Sequence, residues 1–176
     1  GYEYEPGHHR VGHHSVLTLH GDLRGPLVPP LRSDPPEVAS RVGLDLHPVD
    51  LADRAQARWL VACQWPDQPE RIHRARTAIA LAHGHPPRLV TGDAVDDVAP
   101  LVRSVPGHAL PVVVATWVLA YLAPERQRAF VAELDQVGAE RDLSLVLAEQ
   151  PERVTGVPVP ARPDGRSRMS TSYSTP

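Results

Sequence analysis

Near the start of the chain, apolar and polar residues alternate in two short stretches. Tyr2 and Tyr4 alternate with Glu3 and Glu5, and Leu17, Leu19 and Leu23 share one side of residues 15–23. A period of two predicts strands, and the turn signal Pro6-Gly7 suggests a β-hairpin over residues 1–24. Five prolines then fall between Gly25 and Pro36. Proline has no amide hydrogen for a ladder and breaks a helix, so residues 25–40 are predicted to be a linker.

From Arg41 onward the pattern changes to short apolar runs separated by longer stretches of helical periodicity. Val42–Leu46 predicts a buried strand ending at His47-Pro48. Asp50 or Asp53 can cap a helix to Ala62, with Ala55, Trp59 and Ala62 at helical spacing. Trp65-Pro66 ends it, and Asp67 with Glu70 has the capping-box spacing for a second helix. That helix carries an apolar stripe of Ile72, Ala75, Ile79 and Ala82 and reaches a C-cap at Gly84. Pro87–Thr91 predicts a strand closed by Gly92-Asp93, and a short helix spans Asp97–Ser104. Leu110–Ala115 is the most apolar run, and its lack of alternation predicts a strand buried on both faces. Pro124 opens a helix bearing Phe130, Leu134 and Val137 and ending at Gly138, and Leu143–Ala148 is a last strand leading to Glu149. Strands alternating with helices predict an α/β fold over residues 41–150, with a doubly wound, mostly parallel sheet. Residues 161–176 are rich in Ser, Thr, Arg and Pro without periodicity and are predicted to be disordered.

Composition narrows the class. A chain of 176 residues that is 41% hydrophobic can bury a core of its own. With one Phe and four Tyr, that core is made of Val, Leu and Ala. The formal charge of −3 argues against a dedicated nucleic-acid or membrane binder. All 18 basic residues are arginine, the mark of a GC-rich bacterial coding sequence. Cys63 is the only cysteine, which excludes an internal disulfide and, with no membrane-spanning run or signal-peptide pattern, predicts a cytoplasmic protein. Cys63 is expected to be a buried small hydrophobe. The Gly1 start suggests a piece of something longer.

In parallel sheets, ligands bind outside the carboxyl ends of the strands. Those ends carry Asp45, Gly92-Asp93-Ala94, Thr116-Trp117 and Glu149. Asp45 can accept hydrogen bonds from both hydroxyls of a nucleotide ribose; Gly92 lets the backbone approach a base, and Asp93 can accept from an exocyclic amine. Plain turn and cap roles compete for the same residues. Trp117 and Tyr121 can wall a pocket that suits a cation, or belong to the core. Glu149 is either a general base or a cap. His8, His9, His13 and His14 match no metal-ligand spacing and predict a solvated loop, so no metal site is expected. The carboxylates Asp45, Asp93, Asp96, Asp97 and Glu149 would serve a metal-dependent hydrolase only if they converge.

Residues Arg41 through Leu51, Arg58-Trp59-Leu60, Trp65-Pro66, Arg71, Pro87 through Ala94, Val114 through Leu122, and Glu149 resemble an uncharacterised bacterial family. It is the domain of unknown function numbered two-three-three-two, and the resemblance runs from Gly1 to Pro160. That family in turn resembles class I methyltransferases that use S-adenosylmethionine. The resemblance implies a Rossmann-like fold, with Asp45 at the ribose position and Asp93 with Ala94 at the adenine position. Two departures stand out. Ala115 replaces a histidine usual in the family, and the glycine-rich strand-to-helix turn expected just before Tyr2 is missing. A central strand goes with it, so this chain is expected not to bind the cofactor alone and to expose sheet edges that promote self-association. The expected parent is a methyltransferase-like domain acting on an unknown small molecule. The competing expectations are a non-catalytic remnant, or half of a protein completed by another chain.

Overall fold

The computed structural model describes residues 2–6, 15–21, 36–157 and 171–174. It is a mixed α/β structure with short parallel sheets and four helices. The chain divides into two compact units, Gly1–Gly43 with Pro48–Arg88, and Leu44–His47 with Leu89–Pro176.

In the first unit, β1 (Tyr2–Pro6) and β2 (Leu17–Gly21) pair in register, Tyr2 opposite Leu17 and Tyr4 opposite Leu19. The pairing is parallel, so the predicted hairpin does not form. Alternation says which residues share a face but is silent on strand direction. The connection over residues 7–16 is also longer than the loops of about two to five residues that close hairpins. Helix α1 (Arg54–Ala62) starts where Asp53 caps it: its Oδ1 accepts from the amides of Ala55 at 2.7 Å and Gln56 at 3.4 Å. The predicted stripe of Ala55, Trp59 and Ala62 is exposed, and the half-buried positions are Ala57, Leu60 and Val61. Spacing alone identified a periodicity but chose the wrong face. Helix α2 (Pro69–Gly84) has Gln68 as its N-cap with no side-chain cap bond, and Pro69 takes the first helical position. The Asp67–Glu70 capping box is therefore displaced by one residue and does not form. Its stripe of Ile72, Ala75, Ile79 and Ala82 is half-buried as expected. Cys63, predicted to be buried, is exposed at the end of α1.

β3 (Val42–Asp45) and β4 (Arg88–Thr91) form a two-stranded sheet. The amide of Arg88 donates to Arg41 O at 3.1 Å and that of Gly92 to Asp45 O at 3.0 Å. Both strands advance in the same sense between these bonds, so the pair is parallel.

The second unit contains the main core. α3 (Val98–Arg103), β5 (Val112–Thr116), α4 (Pro124–Glu140) and β6 (Ser144–Ala148) follow in chain order. β5 and β6 are parallel, and β7 (Thr171–Ser174) joins β6 antiparallel. Thr171–Ser174 thus form a strand within the segment predicted to lack regular structure. Val98, Ala99 and Val102 of α3 and Phe130, Leu134 and Val137 of α4 pack on Ala115, Leu145 and Leu147 of the sheet. The helical stripe predicted for α4 is the buried one. β5 differs from expectation: Val112 is 55% and Val114 63% exposed, while Ala115 is buried. A run of valines carries no alternation to read, so the sequence could not show that helices cover only one face of this strand.

Truncating the core should be costly and truncating the bare face should not. Phe130→Ala is expected to lower unfolding free energy by about 3–5 kcal/mol. Val114→Thr is expected to change it by less than about 0.5 kcal/mol, both read from urea unfolding.

Candidate functional site

The strand ends predicted to carry chemistry fall into two clusters, both in the second unit. At the ends of β3 and β4, the bond from the Gly92 amide to Asp45 O sets the two turns side by side. Asp45 is exposed, and its Oδ1 accepts from the His47 amide at 2.8 Å. A Cβ at Gly92 would lie 2.6 Å from Asp97 Oδ2 and 3.0 Å from Leu44 Cδ1, so a side chain there would have to displace the Asp97 carboxylate that holds the Asp93 amide. Asp93 is tied into the turn before α3. Its Oδ1 accepts from the amides of Val95 at 2.7 Å and Asp96 at 3.2 Å, and its own amide donates to Asp97 Oδ2 at 2.8 Å. Ala94 is half-buried inside that turn.

The second cluster closes the ends of β5 and β6. Thr116 pairs with Ala148, and the Trp117 amide donates to Ala148 O at 3.1 Å. Trp117 then turns into the left-handed region with φ of 55°. For a bulky residue this costs about 1–3 kcal/mol and is held only by surrounding bonds. Glu149 supplies two of them: its Oε1 accepts from the amides of Val118 at 2.6 Å and Leu119 at 2.9 Å. Those bonds start the 3-10 turn Leu119–Tyr121, on which Tyr121 is exposed. Glu149 is only 5% exposed, and its Oε2 is buried without a hydrogen-bond partner among the described residues. Ala115, the position expected to matter as a lost histidine, faces the core.

Two residues that sequence reasoning passed over connect these clusters to α4. Arg126 bonds to Asp93 Oδ1 and to both carboxylate oxygens of Asp96, at 2.8 and 3.1 Å. Gln127 is buried beside it, and the two hydrogens of its Nε2 are shared among Leu119 O at 2.8 Å, Leu122 O at 3.1 Å and Arg153 O at 2.9 Å. Its Oε1 accepts from the Thr155 amide at 2.7 Å. The signal for Gln127 was present: the stripe Phe130, Leu134, Val137 extended back by three reaches it, and a polar residue on an apolar stripe must find partners inside. Arg126 left no such trace, because its partners are about thirty residues away in sequence.

Arg126 also sets the local electrostatics. Its hydrogen bond, and then its charge, hold the Asp96 carboxyl below the usual carboxylate range, while Asp96 raises the guanidinium in return. Among the described residues no three His, Cys, Asp or Glu side chains are placed to hold a metal ion, and no helix is long and apolar enough to cross a membrane. A cavity of about 60 Å³ lies elsewhere, lined by Leu134, Leu143, Leu145 and Val157 among others, at the amino-terminal end of β6. The histidine-rich segment His8–His14 falls outside the described residues.

A family model described as "Uncharacterized protein conserved in bacteria (DUF2332)" matches residues 1–173. The chain belongs to that family. No curated protein and no solved structure matches it.

Because the Asp96 carboxyl is depressed in the folded chain, its contribution is complete above the ordinary carboxylate pKa of about 4. It disappears as pH falls through the lower, folded value. Arg126→Gln is therefore expected to destabilise at pH 7, by an amount that shrinks toward zero as pH falls through the lowered, folded value of Asp96. Urea unfolding across that range reads the difference, and a gap that persists at the lowest pH contradicts the assignment.

Proposed function

We propose that this member of the family is part of a Rossmann-like, S-adenosylmethionine-dependent methyltransferase-type domain acting on a small molecule. The observation that carries the reading is the pairing of β3 with β4, which sets Asp45 beside Gly92-Asp93 at the carboxyl ends of parallel strands. In doubly wound folds this is where a nucleotide is held. Asp45 has one oxygen committed to the His47 amide, leaving the other for a ribose hydroxyl. Asp93 commits Oδ1 to two amides and Arg126, leaving Oδ2 for an exocyclic amine. These residues fit the adenosine half of the cofactor. The methionine half has no counterpart, since none of the described residues forms a glycine-rich strand-to-helix turn. When bound, the cofactor supplies an electrophilic methyl group; the protein's own part is to orient the acceptor in line and exclude water.

A second reading, half of a protein completed by another chain, is favoured by the exposed face of β5 and by its outer edge, which has no strand partner among the described residues.

Calorimetric titration with S-adenosylmethionine separates the outcomes. This chain is expected to give no tight signal, whereas a chain extended N-terminally by a glycine-rich strand and turn binds stoichiometrically. In the extended chain, Asp45→Asn weakens binding by about tenfold or more, the worth of a hydrogen bond to a charged group. Binding by neither chain contradicts the cofactor assignment.

A further inference from the structure

The carboxylate of Glu149 is in an unusual position. It is 95% buried by its 5% exposure, yet only Oε1 is bonded, and both of its donors are neutral backbone amides. Oε2 has no partner, and Glu149 makes no ion pair among the described residues. Gln127, the other buried polar residue among those described in this unit, has both its amide nitrogen and its oxygen bonded. A buried carboxylate without a cation or a full set of donors is unfavourable, and such groups mark places where a partner is supplied from outside.

The neighbouring backbone points the same way. The two amides that hold Oε1 follow directly on Trp117, the only non-glycine residue with positive φ among those described. Strained residues of this kind cluster at ligand clamps, where two arrangements of a turn compete. Trp117 and Tyr121 flank the turn and are both exposed, offering aromatic faces of the kind that attract organic cations. The unmatched oxygen calls for a hydrogen-bond donor, the unbalanced charge for a cation, and the aromatic rims for an organic one.

We propose that the turn at the carboxyl ends of β5 and β6 binds a protonated primary or secondary amine, with Glu149 Oε2 accepting from its N–H and Trp117 and Tyr121 flanking it. Relaxation of Trp117 from the left-handed region moves the turn and opens the carboxylate to the ligand. The inference stands on Glu149 and Trp117 and holds whether or not the chain takes part in methyl transfer.

Benzylamine and its neutral analogue benzyl alcohol test it on the full chain, with the Trp117 indole N–H resonance as the reporter, assigned through Trp117→Phe. The expected result is a saturable shift with benzylamine at least tenfold tighter than with benzyl alcohol. Glu149→Gln keeps an acceptor for the amides of Val118 and Leu119 but removes the charge, and it is expected to weaken benzylamine at least tenfold. Equal affinity for the amine and the alcohol, or no response to either, overturns the proposal without recourse to any variant. Undiminished amine binding by a folded Glu149→Gln chain overturns it as well.

Discussion

The second unit depends on one buried side-chain amide. Gln127 sits on the core stripe of α4, one turn before Phe130, where an apolar residue would be expected. Its two N–H hydrogens, shared among three carbonyls, and its one accepted bond reach the 3-10 turn after β5 and the segment after β6. The backbone groups at these strand ends have left the sheet ladder; Leu119 O is buried and the others are partly so. A polar group left unpaired there is costly, and Gln127 reaches all four, adding to the bond that Leu119 O already takes from the Leu122 amide. With the turns fixed, Glu149 can hold the amides of Val118 and Leu119, and Trp117 is kept in a conformation it would not adopt alone.

A similar logic operates one position earlier on the helix. Arg126 is exposed enough to be screened by solvent, so its bonds to Asp93 and Asp96 contribute modestly to stability. Their larger effect is geometric, since they orient the turn that follows Gly92. Asp93 is consequently a committed residue on one oxygen and an available one on the other, while Asp45 remains open to solvent. The two strand-end clusters therefore differ in character. One carries several carboxylates near solvent; the other sets a single buried, incompletely bonded carboxylate beneath a strained turn whose aromatic residues are exposed.

Much of this was legible in the sequence because periodicity reports burial. The apolar stripe of α4, the cap at Asp53 and the short strands at residues 42–45, 88–91 and 144–148 all follow from spacing and end signals. What escaped has physical reasons. Strand direction leaves no mark on alternation, so the parallel pairing of β1 with β2 read as a hairpin. A run of valines reads the same whether one face or both are covered, so β5 seemed fully buried. The pairing of Thr171–Ser174 with β6 depends on a backbone edge and not on a side-chain pattern. For the candidate site, Asp45, Gly92, Asp93, Trp117 and Glu149 were found at strand ends, but the residues that hold two of those ends in place sit on a helix. Long-range polar pairs carry no sequence period.

The dependence of the strand-end turns on Gln127 is most directly tested by native-state hydrogen exchange on the parent chain and Gln127→Leu. In the parent, the amides of Val118, Leu119 and Thr155 are expected to be protected, since each donates to a side-chain oxygen. In the variant all three are expected to exchange at least tenfold faster, while amides in the middle of α4 and along β5–β6 keep their protection. If Thr155 alone loses protection and Val118 and Leu119 retain theirs, the Glu149 clamp stands without Gln127 and the account is contradicted.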